Sequence, residues 1–135
     1  MLKVLIAGQH SFIGTAVERR LVAFPDRYAA TSLDMHGEDW RLFDLSPFDC
    51  VVHVAGIAHV SPEPEMRPLY ESVNRDLAVA CARRAREMGV KQFIYLSSAI
   101  VFGEAGPAGE ARQITPETSP SPANAYGRSK LEAEH

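Results

Sequence analysis

Cysteine is scarce in this chain, tryptophan occurs once, and no stretch is uniformly charged or apolar for long. The two cysteines, Cys50 and Cys81, lack metal-ligand spacing and read as small core residues. His10, His36, His53 and His59 are scattered, with no helical i,i+4 pair supported by further ligands, so no metal site is expected. Fourteen Lys and Arg are interspersed with seventeen Asp and Glu, for a net charge of -3. That balance gives no basic footprint for nucleic acid or an anionic membrane. Apolar runs are too short to cross a bilayer, and Met1 leads into a strand-like run rather than the charged and apolar regions of a secretory signal. A cytoplasmic protein without a nucleic-acid or membrane partner is the expectation.

What is present is an alternation of short apolar runs with amphipathic stretches. Leu2 to Ala7, Tyr28 to Leu33, Cys50 to Ala55 and Phe93 to Leu96 read as strands, the first suited to burial on both faces of a parallel sheet. From Ser11, the positions Phe12, Ile13, Ala16, Val17, Leu21 and Phe24 form one helical stripe, and Pro25-Asp26 ends it. A second helix is expected from Asn74 to Met88, closed by Gly89, and a third from near Ala125 to the end. Glu104 to Pro122 is rich in Pro, Gly, Ser and Thr and reads as loop. The order predicts an α/β fold with a doubly wound, Rossmann-like parallel sheet, with the loops after Ala7, Ala55 and Leu96 opening on one edge. One domain, residues 1–135, fits the length.

Gly8-Gln-His-Ser11-Phe12-Ile13-Gly14 follows the first strand and opens the first helix, the context in which a glycine-rich turn can hold a dinucleotide. Gly8 would permit the tight turn and Gly14 the close packing of helix on sheet, while free N–H groups at the helix start would face a pyrophosphate. Ser11 stands where the middle glycine usually stands; its hydroxyl can donate to phosphate or cap the helix. Asp34 ends the second strand, where a carboxylate can accept both ribose hydroxyls and repel a 2′-phosphate, favouring NAD without excluding NADP. The stretch from Asp34 to Cys50 is too short for the usual intervening elements. Asp34-Met35 is therefore also readable as an adenine-contacting pair, which would leave the ribose contact open.

Tyr126 and Lys130 stand four apart on one face of the last helix. A lysine ammonium favours the ionised form of a neighbouring phenol, so Tyr126 could exchange a proton with a substrate hydroxyl. Ser98 follows a buried strand at the edge where α/β ligand sites form and could bind the same oxygen. Alone, a Tyr-x-x-x-Lys spacing also fits a solvated helix face, and Ser98 the polar end of a strand.

The segments VLIAGQHSFIG, VVHVAGIAHV, YESVNRDLA, KQFIYLSSAIVFG and AYGRSKLEAE resemble, in this order, the signature blocks of extended short-chain dehydrogenases/reductases of the nucleotide-sugar epimerase/dehydratase group. The AGIAH and NRDLA wording is most similar to epimerase-like proteins of polysaccharide and O-antigen gene sets. The resemblance covers the chain except Arg27 to Asp49 and the Glu104 to Pro122 loop. It implies a catalytic trio of Ser98, Tyr126 and Lys130, with Lys130 also on the nicotinamide ribose. Ala55, Gly56 and Ile57 would line the cofactor, and Asn74 would brace the site. Departures are Ser11 for glycine, Phe102 where tyrosine is usual, and Ala58 where some epimerases carry lysine.

Because the family continues well beyond the position of His135, the expectation is an N-terminal portion of a longer enzyme, lacking the last strands and the substrate domain. The implied activity is nicotinamide-dependent oxidation and reduction of a nucleotide-sugar hydroxyl, foremost a 4-epimerase; a 4-ketoreductase or dehydratase of the same family comes next. The longer enzyme is expected as a homodimer. A non-catalytic dinucleotide-sensing module is the rival from another class, and retention of all three catalytic positions argues against it.

Overall fold

A computed structural model describes residues 1–58, 64–104 and 112–135. The described chain forms two compact units, residues 1–56 with 77–96, and residues 57–76 with 97–135.

The first unit holds a four-stranded, fully parallel sheet in the order β2-β1-β3-β4. Its strands are β1 (Leu2–Ala7), β2 (Tyr28–Leu33), β3 (Cys50–His53) and β4 (Gln92–Tyr95). The second pair steps to the opposite side of β1 from β2, so the strand order reverses between β1 and β3, where α/β sheets open a crevice at their carboxyl ends. The two strands flanking that point are in register from Val4↔Cys50 to Ala7↔His53.

Alternate residues serve opposite faces, as the period of a strand requires. Leu5, Ala7 and Val51 pack with Cys81 and Ala85 of α3 (Leu77–Glu87) and with Met35, Trp40 and Leu45. Val4, Cys50 and Val52 face the other way, where Leu21 of α1 (Phe12–Val22) joins them. Helices on both faces of a parallel sheet make the doubly wound arrangement. Both cysteines are buried free thiols, and burial pushes the Cys81 thiol up to about 11. His53 is fully buried in β3, its ring stacked on Phe93 and Tyr95.

Two expectations need correction. The apolar stripe read from Phe12 to Phe24 is not a buried seam: Phe12 is 91% exposed, and Ile13, Ala16 and Phe24 are exposed as well. Phe12 and Ile13 occupy the first turn, and of this helix Leu21 reaches the cluster on its face of the sheet. The segment from Asp34 to Cys50 also does more than connect. A 3₁₀ turn, Asp39–Leu42, replaces the missing elements and inserts Trp40, 2% exposed, into the main core with Leu45 behind it. Arg84 of α3 secures this segment by donating to the Phe43 carbonyl at 3.1 Å.

The second unit contains α2 (Arg67–Tyr70), which runs into a π-helical segment, Glu71–Asp76. It also contains a 3₁₀ turn, Ala99–Phe102, capped by Ser98, and α4 (Ala125–Glu134), capped by Asn124. Among the described residues no helix is long and apolar enough to cross a membrane, and no group of three His, Cys, Asp or Glu could hold a metal ion.

Trp40 supplies a test of the short connection. Trp40→Ala should destabilise the protein by about 3–5 kcal/mol, the range for emptying a buried aromatic site. Urea denaturation followed by circular dichroism reads the change, and a loss under about 1 kcal/mol would show that the segment contributes little to the core.

Candidate functional site

In the first unit, the loop after β1 is shaped by two close approaches. Ala7 offers its carbonyl to the amides of Val54 and Ala55 at 2.9 and 3.0 Å, drawing the strand that follows β3 against the turn. Gly8 has φ +132°, and a Cβ there would lie 2.8 Å from the Ala55 nitrogen. A side chain is excluded on both counts. At Gly14 a Cβ would sit 2.6 Å from Ser11 Oγ and 2.9 Å from the Gly8 carbonyl oxygen. Ser11 caps α1, its Oγ accepting from the Gly14 amide at 3.0 Å. The cap uses a lone pair of this hydroxyl and leaves its proton able to donate to a phosphate. The amides of Phe12 and Ile13, in the first turn, lack intrahelical partners by the geometry of any helix start and give the loop its anion-attracting character.

Asp34 stands at the end of β2 with an exposed carboxylate. Its Oδ1 accepts from the His36 amide at 3.0 Å and meets His36 Nδ1 at 2.6 Å. The amide bond first, and then the imidazole, hold this carboxyl below the usual range for aspartate. It is ionised at neutral pH. Met35 beside it is 6% exposed and belongs to the core, which leaves Asp34 as the open member of the pair. A recess of about 420 Å³ adjoins it, between Leu33, Asp34 and His36 on one side and Trp40, Leu42 and Phe43 on the other. Ala55 is half-buried and Gly56 exposed at the carboxyl end of β3.

The second unit carries the proposed proton-transfer groups. Tyr126 and Lys130 share one face of α4; Tyr126 is half-buried, its ring tilted against that of buried Tyr70 at 6.0 Å. Lys130 is 8% exposed, and burial pulls its ammonium below the ordinary lysine value. Ser98 caps its 3₁₀ turn by accepting from the Ile100 amide at 3.3 Å. That turn lies against the start of α4: a Cβ on Gly127 would come within 3.0 Å of the Ile100 carbonyl oxygen. Ser98, Tyr126 and Lys130 are thus brought into one unit on two packed elements.

Asn74 is fully buried in the π-helical segment and grips the backbone of Ile57 twice. Its Oδ1 accepts from the Ile57 amide at 2.8 Å and its Nδ2 donates to the Ile57 carbonyl at 2.9 Å. π-Helical turns recur at functional sites, and this one carries the bracing residue. Arg75 ties the same segment to α4 through Glu132 at 2.7 Å. Sequence reasoning missed Ser129 and Tyr70. The available signal for Ser129 was its place three residues after Tyr126, about one helical turn away. His59 lies outside the described residues.

The sequence profile of the NAD dependent epimerase/dehydratase family matches residues 4–135. Among curated proteins, the chain is 33% identical over 149 residues to a UDP-glucose 4-epimerase of Vibrio cholerae, covering 97% of this chain and 44% of that protein. Among solved structures it is similar to UDP-glucuronic acid 4-epimerase from Bacillus cereus in complex with NAD, with TM-score 0.78 and 22% identity, over 99% of this chain and 50% of the other. It is also similar to RMD from Pseudomonas aeruginosa complexed with NADPH, with TM-score 0.74 and 26% identity, over 98% and 47% respectively. The chain therefore spans about half the length of the proteins it matches.

Lys130 allows a test that needs no turnover. In the folded protein its proton is lost below the ordinary value of 10.5, so from that lowered value up to 10.5 the unfolded chain holds more proton and stability rises with pH. Lys130→Met removes the desolvated charge. The wild type should gain stability relative to Lys130→Met as pH rises through this window, with a constant difference below it. Urea midpoints of the two proteins at pH 7 to 10 measure this, and a gap that widens against the wild type would overturn the desolvated assignment.

Proposed function

The chain belongs to the NAD dependent epimerase/dehydratase family, and from that premise we propose that it is the cofactor-binding and proton-transfer part of a UDP-sugar 4-epimerase. The observation that carries this proposal is α4, where a half-buried phenol and a desolvated ammonium stand one helical turn apart. The relative in Vibrio cholerae, a UDP-glucose 4-epimerase, supports the choice of substrate class. The same proposal makes the protein a cytoplasmic enzyme acting on a soluble nucleotide sugar.

The residues present fit a dinucleotide, because a Cβ at Gly8 or Gly14 would fill the cradle after β1. In the first unit, Gly8, Ser11, Phe12, Ile13 and Gly14 would hold the pyrophosphate, and Asp34 the adenosine ribose beside the recess. Ala55 and Gly56 would contribute their backbone. Met35 would act there through its backbone, since its side chain is spent on the core. In the second unit, Ile57, Asn74, Tyr126 and Lys130 would serve the nicotinamide end. NAD, when bound, supplies a reversible hydride acceptor for the carbon that bears the reacting hydroxyl. Tyr126 removes the proton from the 4-hydroxyl of the sugar as that carbon is oxidised, and returns it when the ketone is reduced on its other face. Ser98 orients the reacting oxygen, and Lys130 favours the ionised phenol. A deeply buried lysine whose ammonium is pulled below its ordinary value, one helical turn from a phenol, is a functional-site candidate, which is the physical reason to assign Lys130 a task.

Tyr126→Phe keeps the ring and deletes the atom that carries the proton. In the full-length protein, kcat for 4-epimerisation of UDP-glucose should fall ~10²–10⁴-fold with NAD affinity little changed. Retention of more than about half the wild-type kcat would sink the catalytic assignment and leave a dinucleotide-sensing module as the better account.

Cofactor choice gives a second test. Ionised Asp34 should make the full-length protein bind NAD more tightly than NADP, and Asp34→Asn should narrow the gap, both read by isothermal titration calorimetry. Tighter binding of NADP by the wild type would remove Asp34 from the ribose role, and the NADPH carried by RMD shows why the comparison is needed.

A further inference from the structure

Ser129 lies between the two residues of α4 that carry the proposed chemistry, and it is 1% exposed. Its hydroxyl donates to the Tyr126 carbonyl at 2.8 Å and accepts from Asn74 Nδ2 at 3.2 Å. The Tyr126 carbonyl is also the acceptor for the Lys130 amide in the ladder of any α-helix. The Ser129 hydroxyl therefore sits on the peptide group that fixes the turn between Tyr126 and Lys130. Asn74 reaches it with the same amide nitrogen that donates to the Ile57 carbonyl, while its oxygen accepts the Ile57 amide. One unbroken series of hydrogen bonds runs from the backbone at Ile57, through a fully buried amide and a buried hydroxyl, to the turn bearing the phenol and the ammonium.

Burying these polar groups costs free energy unless every bond is made, and a partly satisfied network is worse than an apolar one. An alanine at position 129 would fill nearly the same space without that cost, and would also improve helix propensity. Packing alone does not account for a hydroxyl here. We propose that Ser129 is a positioning residue: it transmits the hold of Asn74 on the Ile57 loop to the Tyr126–Lys130 turn, so that loop and helix keep one register during the reaction. This rests on the 4-epimerase function proposed above.

The test is Ser129→Ala in the full-length protein, with Ser129→Thr, which restores a hydroxyl, and Asn74→Ala alone and combined with Ser129→Ala. In the variant lacking the hydroxyl, kcat for 4-epimerisation of UDP-glucose should fall about 10-fold or more, the scale on which a small misplacement of reacting groups acts, while KM stays within about twofold. Ser129→Thr should recover part of kcat, and the double variant should lose less than the product of the two single losses, because both act through one series. Independently of turnover, amide exchange at Ile57 should quicken in Ser129→Ala. A Ser129→Ala protein whose melting temperature alone changes, with kcat and Ile57 exchange as in the wild type, would overturn the proposal and leave Ser129 as structural filler. Should Tyr126→Phe retain turnover, the 4-epimerase function falls, and the Ile57 exchange still decides whether Ser129 couples loop to helix.

Discussion

The first unit depends on a gap too narrow for a methyl group. The carboxyl ends of β1 and β3 are drawn together by a single carbonyl, that of Ala7, which accepts two consecutive amides from the chain leaving β3. Gly8 is the residue that must pass through the remaining space, and with φ +132° and 2.8 Å to the Ala55 nitrogen it has room for hydrogen only. Because this closure falls where the strand order reverses, it also fixes the edge on which the loop after β1 opens. Fold and cradle are one constraint there. A residue that relaxed the approach to relieve packing would alter the anion-facing turn in the same step.

How far this was legible depends on the range of the interaction concerned. β1 and β2 end where their apolar runs end, and β3 and β4 depart from the expected bounds by one or two residues, because strand burial follows a local period. The positive φ of Gly89 closes the region after α3 as the glycine suggested. The connection from Asp34 to Cys50 was opaque for the opposite reason. Trp40 and Leu45 belong to the main core, yet they follow neither a helical nor a strand period, and their partners Val51, Cys81 and Ala85 are remote in the chain. The α1 stripe misled in the reverse direction: periodicity reports which residues share a face, and says nothing of how much of that face meets a partner.

The two units use different interiors. The first buries mainly apolar groups, Leu5, Ile6 and Val51, which ask only contact of their neighbours, with the indole of Trp40 and the imidazole of His53 as its polar members. In the second, buried positions fall to Asn74, Ser129 and Lys130 alongside Tyr70, Val101 and Ala125. Polar interiors of that kind specify one arrangement, because each alternative leaves a donor or a charge unmet. Tyr126 and Lys130 were visible because an i,i+4 pair lies along the chain, Ser98 because it follows a buried strand, and the three as a trio through the family resemblance. Ser129 was not, because its meaning comes from Asn74, fifty-five residues away in sequence.

The serine in the glycine-rich turn shows how a departure from a family pattern can be absorbed locally. With Ser11 as cap, one of the amides at the start of α1, that of Gly14, is already satisfied at 3.0 Å and is no longer a donor for an anion. The amides of Phe12 and Ile13 are left to do that work, together with the positive end of the helix. The exchange also makes Gly14 dependent on Ser11, since a Cβ at Gly14 would stand 2.6 Å from the capping oxygen. Glycine at position 11 would free the Gly14 amide but would surrender the side-chain cap, worth a few tenths of a kcal/mol relative to glycine. The present sequence therefore holds a better-anchored helix start in which the Gly14 amide is spent on the cap and the Ser11 hydroxyl proton stands in for it as a donor, beside the exposed first turn where Phe12 and Ile13 stand.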